Sequence, residues 1–296
     1  MRMVTISLCV LLTVLAILSP VLVSLGNGTS LLRVANVGQL HLSFPTPLQA
    51  VNSQALTQPV QVGAWGDEAS VGNMGVQVEI QTNVYNVSSV WTDAFWVGDV
   101  MSDGSFVQFG YIISSPGYYC LNGHVTGQGT SCLGAAGNIG FVDARWFWSY
   151  FPNARDVSDW YYGFGSANSA GVNGTWHLYS IQPSASNDWT FVMDGVPVYS
   201  SDVSVSTSTS PAHLVAEKAS GPFLSQLGPV QFRNLAYLGS SGLWLATSSF
   251  TLIDGCGSAD SNVCTVSTAY GVELAGPNDV IAGSGVPLPE SGQLVW

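Results

Sequence analysis

The sequence lacks the side-chain combinations of the common hydrolases, which narrows the chemistry it could perform. It contains no Gly-x-Ser-x-Gly turn, no His-Glu-x-x-His pair and no glycine-rich phosphate loop. No metal site and no cofactor is expected. The four histidines are scattered and are more typical of hydrogen-bonded or solvated residues than of ligands: His41, His124, His177 and His213. A histidine base would also be protonated in acid, so carboxylates and amides remain as the groups for catalysis there.

Two such groups lie on stretches that alternate as β-strands do. In residues 106–113, Gln108 points away from one apolar set of side chains, and in residues 212–217 Glu217 points away from a second, small and apolar set. If those apolar sets pack between two sheets, the side chains of Gln108 and Glu217 both point to the opposite face of their own strands. A Gln and a Glu on strand faces are usually only solvated, and the alternation alone leaves both interpretations open.

The composition indicates a protein that tolerates acid. The 296 residues carry 6 Lys+Arg against 18 Asp+Glu, a net charge of -12, and only 8% of them are charged. Such a chain offers no basic surface for nucleic acid. When the carboxylates protonate below pH ~3, few positive charges remain to repel one another and unfold the chain. A low-charge surface covered by sugar is an alternative explanation, and the two are compatible.

The N-terminus has the pattern of an export signal. Arg2 precedes an uncharged apolar run from Met3 to Gly26, so residues 1–26 are predicted to be a signal peptide cleaved after Gly26. Because the run is long enough to span a bilayer, an uncleaved N-terminal anchor is the alternative. Either way the remainder is expected to be secreted or on the extracytoplasmic cell surface, with membrane contact only through an uncleaved segment.

Cysteines and sequons fit export. Outside the signal the cysteines are even in number and close in sequence, which favours two local disulfides. The expected pairs are Cys120–Cys132 and Cys256–Cys264. Three sequons could carry glycans, at Asn27, Asn86 and Asn173.

Short alternating stretches bounded by turn residues predict an all-β antiparallel sandwich or barrel. They lie at 76–80, 106–113, 175–181 and 189–193, and Asp194-Gly195 is a hairpin turn signal. Residues 61–275 are predicted to form the folded domain. Residues 27–60 are a linker, a short pro-segment or an extra edge strand, 200–210 a polar edge strand or loop, and 276–296 a Gly/Pro-rich tail.

Four short motifs, in their order and approximate spacing, resemble the eqolisin (G1 glutamic peptidase) family. They are Ala94-Phe-Trp-Val-Gly98, Phe106-Val-Gln-Phe-Gly-Tyr111, Trp146-Phe-Trp-Ser-Tyr-Phe-Pro152 and Ala212-His-Leu-Val-Ala-Glu217. The resemblance spans residues 60–275. It implies a concanavalin-like jelly roll, an antiparallel double-sheet β-sandwich with a Gln and a Glu on its concave face.

The resemblance also implies a catalytic pair, because Gln108 and Glu217 match the family's catalytic residues. The chain is then expected to be a secreted glutamic endopeptidase acting on protein or peptide substrates in acid. Glu217 would be the general base for a water molecule, and Gln108 would donate its side-chain N–H to the scissile carbonyl. We expect the two residues on neighbouring strands of one sheet, within one water-bridged contact.

Further site residues are expected beside this pair. Candidates for lining a substrate cleft are Trp96, Trp146, Trp148 and Tyr150, with packing in the core as the alternative. His213 is expected about 7 Å from Glu217, where its cation would keep the carboxylate ionised in acid. Ser149 and His213 stand where type members of the family carry acidic residues.

Two other classes of function use the same features. A concanavalin-like carbohydrate-binding protein would stack sugars on the aromatic rings without hydrolysing peptides. A structural cell-surface subunit would use residues 275–296 as a donor strand for a neighbouring copy. Only the peptidase interpretation requires the pair of Gln108 and Glu217.

Overall fold

The computed structural model describes residues 60–66, 72–85, 92–114, 117–134, 136–139, 143–154, 156, 158–220, 226–247, 249–255 and 270–286. All regular elements within these ranges are β-strands. In the part described, no helix is long and apolar enough to cross a membrane. The expected signal peptide, the sequons at Asn27 and Asn86, and the pair Cys256–Cys264 lie outside the described residues.

The strands form two large antiparallel sheets and one small one. In spatial order the first sheet contains β17 (Thr251–Gly255), β1 (Val60–Trp65), β14 (His213–Ser220), β3 (Thr92–Val100), β4 (Phe106–Ser114), β9 (Ala144–Phe151), β10 (Trp160–Phe164), β6 (Asn122–Thr126) and β7 (Gly129–Cys132). The second sheet contains β13 (Val196–Ser204), β12 (Asp188–Met193), β11 (Trp176–Pro183), β2 (Val76–Gln81), β15 (Val230–Leu238), β19 (Asp279–Ser284) and β18 (Tyr270–Gly276), with β16 (Trp244–Ala246) paired to β15. The small sheet pairs β5 (Gly117–Cys120) with β8 (Ala136–Ile139).

The main core lies between the two large sheets. Alternate residues of β3 and β4 point into it, and the Phe109 ring meets Tyr179 and Phe191 of the second sheet at centroid distances of 5.1 and 5.6 Å. Because strand side chains alternate with a period of two, one apolar set per strand is enough to bury this face. The predicted all-β sandwich is confirmed.

Local turn chemistry was also predicted correctly. Asp194 and Gly195, between β12 and β13, both have positive φ angles of 52° and 79°, as a two-residue hairpin turn requires. The polar segment expected as an edge strand or loop is edge strand β13 in its first part.

The predicted start of the C-terminal tail at residue 276 is wrong. β18 and β19 continue the second sheet to Ser284, and Val272, Val280 and Ala282 are buried in the main core. The turn of this hairpin is Pro277-Asn278, directly after Gly276 at the end of β18. Gly, Pro and Asn are typical of turns, so these residues do not by themselves indicate a tail.

The expected disulfide between Cys120 and Cys132 is present, with a Cα–Cα distance of 5.3 Å. It ties the small sheet to β7 at the edge of the first sheet. Closing a loop this short stabilises the fold by roughly 2–3 kcal/mol in the chain-entropy account. Asn173, the remaining sequon, is exposed in the loop before β11.

Candidate functional site

Gln108 and Glu217 lie on the same face of the first sheet. In the register, Gln108 is directly opposite Gly98, and Glu217 is directly opposite Ala94, both on β3. Directly opposed residues of antiparallel strands share a face, and residues 94 and 98 of one strand also share one. Phe95 and Val97 point the other way, into the main core. We call the face that carries Gln108 and Glu217 the outer face.

The outer face is itself covered by a second apolar cluster. Its members are Ala94, Trp96, Phe106, Ile112, Phe147, Phe151, Ala154, Trp160, Tyr162, Phe164 and Val215. Gln108 and Glu217 sit within this cluster with 0% of their surface exposed. The alternation of residues 106–113 and 212–217 therefore predicted the correct faces, but the polar pair is enclosed and is not solvated.

The two residues are not on neighbouring strands, which corrects the expectation. β3 lies between β14 and β4. From strand spacings of about 4.8 Å and rises of about 3.3 Å per residue, the Cα atoms of Gln108 and Glu217 are about 16 Å apart. Local alternation fixes which face a residue occupies, but it carries no information on which strand lies beside it.

Trp96 of β3 stands between the two residues. Its Nε1–H donates a hydrogen bond of 3.0 Å to Oε2 of Glu217. Its other edge leans over Gly98, where a Cβ atom would be 3.0 Å from Cζ3 of the indole. The ring also packs edge-on against Phe106 at a centroid distance of 5.7 Å. Trp96 thus contacts the carboxylate directly and covers the backbone position opposite Gln108.

Gln108 has an unusual hydrogen-bonding state. Among the residues that the structure describes, neither Nε2 nor Oε1 of this side chain has a hydrogen-bond partner, and the same holds for Oγ of Ser149. Ser149, on β9, is directly opposite Gln108 and has 0% exposure. Leaving a buried polar group unpaired costs about 1–3 kcal/mol. Each such group in a folded protein calls for an explanation, such as an ordered water or a bound polar ligand.

Three expected cleft residues lie on the opposite face. Because Ser149 shares the outer face with Gln108, its alternating neighbours Trp146, Trp148 and Tyr150 point toward the other sheet. Trp148 stacks on Tyr199 of β13 at 3.8 Å, and Trp146 and Tyr150 pack against the main core. These three side chains therefore pack in or against the main core. Their aromatic type alone does not distinguish a cleft from a core, whereas their position in the strand alternation does.

On the same strand, the outer-face aromatics are Phe147 and Phe151, which the sequence interpretation had not singled out. Their signal was available, because they occupy the same parity as Ser149. An alternation argument anchored on that serine would have found them.

His213 does not act on Glu217 as expected. They are four positions apart on β14, a distance of about 13 Å, so the expected 7 Å is wrong. The imidazole is partly buried and stacks on Trp65 with centroids 5.3 Å apart. Burial lowers the pKa of His213 to about 4, so over most of the acid range it is neutral and supplies no cation.

A buried charged pair lies directly behind this site. Lys218 and Asp93, opposite each other on β14 and β3, point to the inner face and form a 2.6 Å ion pair. The Tyr85 hydroxyl also donates to Asp93. In the residues described there is no group of three His, Cys, Asp or Glu side chains placed to hold a metal ion. The outer face offers a carboxylate, an amide and a hydroxyl.

No family model matches the sequence, and no curated protein matches it. Among solved structures the chain is similar to Scytalido-glutamic peptidase with a peptide based transition state analog, at 14% identity and a TM-score of 0.42, covering 77% of this chain and 99% of that one. It is similar to SCP-B, a member of the eqolisin family of peptidases in a complex with a tripeptide, at 11% identity, the same coverage and a TM-score of 0.41.

Porphyranase B from Zobellia galactanivorans is also similar, at 8% identity and a TM-score of 0.28, covering 72% of this chain and 83% of that one. The glutamic peptidases that the sequence motifs resemble are thus found again among solved structures. Likeness at these levels carries no conclusion about activity, which rests on the geometry of the outer face.

Proposed function

We propose that this chain is a glutamic endopeptidase that hydrolyses peptide bonds with Glu217 and Gln108. One observation carries the proposal: a fully buried carboxylate and a fully buried amide share one face of one sheet, and the amide has no partner among the described residues. A buried amide is costly to leave unpaired, and a substrate carbonyl is a partner that it could serve. The two side chains are the base and the oxyanion donor that amide hydrolysis requires.

The separation of the pair suits a water-mediated reaction. With Cα atoms about 16 Å apart and each side chain reaching about 5 Å, about 6 Å remains between the functional groups. One water and one carbonyl group fill that span at ordinary hydrogen-bond distances of about 2.7–3.0 Å. The indole of Trp96 occupies this region, so a productive substrate moves its Cζ3 edge away from Gly98 while Nε1–H stays bonded to Glu217.

The proposed reaction needs only these side chains and water. The Glu217 carboxylate takes a proton from water as the water oxygen attacks the scissile carbonyl carbon. The N–H of Gln108 stabilises the negative charge that builds on the carbonyl oxygen. When the C–N bond breaks, the proton on Glu217 passes to the leaving amine, which restores the carboxylate and releases an acid and an amine.

The setting that we propose is acidic and extracytoplasmic. The low number of Lys and Arg residues, the apolar N-terminal pattern and the Cys120–Cys132 disulfide support it. Asn173, exposed in its loop, is proposed as a site for a glycan. A carbohydrate-binding role for the outer face is less well supported, because rings such as Trp160 and Tyr162 are buried there.

A peptide-release assay from pH 2 to 7 on an unfolded protein substrate tests the proposal. We expect activity in the wild type, none in Glu217→Gln, and a loss of about 100- to 1000-fold in Gln108→Ala. Matched controls on the second sheet are Glu273→Gln and Gln182→Ala, which should keep full activity. Equal activity in the wild type and Glu217→Gln overturns the proposal, as does glycan binding by a wild type that cleaves no peptide.

A further inference from the structure

Gln108 and Ser149 form a matched pair of polar side chains on the outer face. They are directly opposite each other on β4 and β9, and each has 0% exposure. Three of their polar atoms, Nε2 and Oε1 of the amide and Oγ of the hydroxyl, have no hydrogen-bond partner in the described ranges. Two unsatisfied side chains at one register position can be satisfied by one shared polar partner.

The register neighbours on either side place no polar side chain between Gln108 and Ser149. On one side the register continues to Gly98, where a Cβ atom would lie 2.7 Å from the Val107 carbonyl oxygen. On the other side it continues to Tyr162, whose hydroxyl lies 2.5 Å from where a Cβ of Gly123 would be, one strand further out. The space above Gly98 is taken by the rings of Trp96 and Phe106, and the Tyr162 hydroxyl lies over Gly123. Gln108 and Ser149 therefore face each other within the apolar cluster.

We propose that Ser149 is a second oxyanion donor, binding the same substrate oxygen as Gln108. This inference rests on the proposed function and adds a residue to it. Directly opposed side chains have Cβ atoms about 4.5–5.5 Å apart. One carbonyl oxygen between them can accept from the Gln108 amide and from the Ser149 hydroxyl at about 2.7–3.0 Å. Two donors in a buried site stabilise the developing charge more than one does.

The chemistry of serine suits this role in acid. A hydroxyl and an amide keep their protons at every pH in the range of the assay, whereas a carboxyl group at position 149 would change charge within it. Ser149 acts only through a hydrogen bond, and no covalent bond to it forms. No hydrogen-bonded base lies beside its Oγ among the described residues, so a role as nucleophile lacks the activating partner that serine needs.

The test compares the wild type, Ser149→Ala and Ser149→Thr, with Ser180→Ala on the second sheet as a matched buried control. For Ser149→Ala we expect kcat to fall about 100-fold with little change in KM, while Ser149→Thr keeps most of the activity. Unfolding by urea should show Ser149→Ala to be at least as stable as the wild type, because an unpaired hydroxyl has been removed. A purely structural serine predicts a parallel loss of stability and activity.

Two inhibitors separate this inference from the proposed function. One is a peptidyl difluoromethyl ketone, whose hydrate mimics the tetrahedral intermediate, and the other is the same peptide with a methylene group in place of the carbonyl. Ser149→Ala should weaken binding of the ketone about 100-fold and leave the methylene peptide unaffected. Equal weakening for both inhibitors, or none for either, overturns the role of Ser149.

The outcomes for the wild type are also distinct. Hydrolysis that does not depend on Ser149 overturns this inference alone. Ketone binding that depends on Ser149 without any hydrolysis supports the oxygen-binding pair and overturns the peptidase. A wild type that neither cleaves peptides nor binds the ketone overturns both.

Discussion

Asp93 on β3 and Glu217 on β14 are two buried carboxyl groups at adjacent register positions of this strand pair, yet they point to opposite faces and have different hydrogen-bond partners. Asp93 is opposite Lys218 and points to the inner face, whereas Glu217 is opposite Ala94 and points to the outer face. Asp93 accepts from the Lys218 ammonium and from a tyrosine hydroxyl. Glu217 accepts from the neutral indole of Trp96.

Under the proposed function, the difference separates a structural carboxylate from a reactive one. Burial raises the pKa of Asp93, and the adjacent Lys218 opposes that effect. The ammonium group of Lys218 balances the charge of Asp93, and their ion pair links β14 to β3. The indole that donates to Glu217 is a neutral donor, unlike the ammonium group that contacts Asp93. Under the proposed function, the inner face uses its carboxylate to fix the sheet, and the outer face uses one for a proton transfer.

The largest effect that the comparison predicts is on stability. Lys218→Met leaves Asp93 without its cation at the centre of the core, so the free energy of unfolding should fall by about 3–5 kcal/mol. Urea denaturation measures it. The double variant Lys218→Met/Asp93→Leu should recover most of the loss, because no buried charge remains. A single variant that loses less than about 1 kcal/mol contradicts a structural role for the pair.

A second prediction concerns pH on the inner face. Asp99 accepts hydrogen bonds from Asn73 and Ser210, and burial raises its pKa to about 7. Because this value is above that of the unfolded chain, about 3.9, Asp99 favours the folded state below pH ~4 and loses that contribution as pH rises toward 7, by up to about 4 kcal/mol. Asp99→Asn should flatten this slope in urea unfolding at pH 4, 5.5 and 7. An unchanged slope contradicts the assignment.

His213, on the outer face, should show the opposite pH dependence with a smaller amplitude. Its pKa is lowered by burial to about 4, below the unfolded value of about 6.5, so its contribution to stability is present above pH ~6.5 and lost as pH falls through 4. His213→Gln should therefore raise Tm at pH 4 relative to the wild type and change it little at pH 7. A larger gain at pH 7 than at pH 4 would show that the sign is wrong.

The smallest effect is expected at Tyr150. Because its side chain packs toward the second sheet, Tyr150→Phe should leave kcat/KM of peptide hydrolysis within about twofold of the wild type. The comparison variant is Trp96→Phe on the outer face, which loses the N–H bond to Glu217 and should fall about 10- to 100-fold. If Tyr150→Phe is the more damaging of the two, the assignment of faces is contradicted.

Local sequence patterns predicted the faces of β4 and β14 because residues 106–113 and residues 212–217 each place one wholly apolar set in the main core and a polar residue in the other set. They also held a signal that was not used: Asp93 and Lys218 occupy the apolar parity of their strands, where a charged residue needs a partner. Each could have been recognised as a buried ion, but not as the partner of the other.

These local patterns do not predict the order of the strands in a sheet. The hydrogen bond from Trp96 to Glu217 joins residues 121 positions apart, and the ion pair between Lys218 and Asp93 joins residues 125 apart. Contacts at such separations leave no periodic trace in the chain. The placement of β3 between the two candidate catalytic strands, and the indole that lies between their side chains, therefore came only from the structure.

The most direct test of a reactive outer face and a structural inner face is one paired measurement on Glu217→Gln and Asp93→Asn. For each variant, the free energy of unfolding and the peptide-hydrolysis rate per folded molecule are measured at the same acid pH. We predict that Glu217→Gln loses activity and keeps its stability, while Asp93→Asn loses about 3 kcal/mol of stability and keeps its activity per folded molecule. Full activity in Glu217→Gln contradicts the account. So does a folded Asp93→Asn protein that has lost its activity while Glu217→Gln keeps its own.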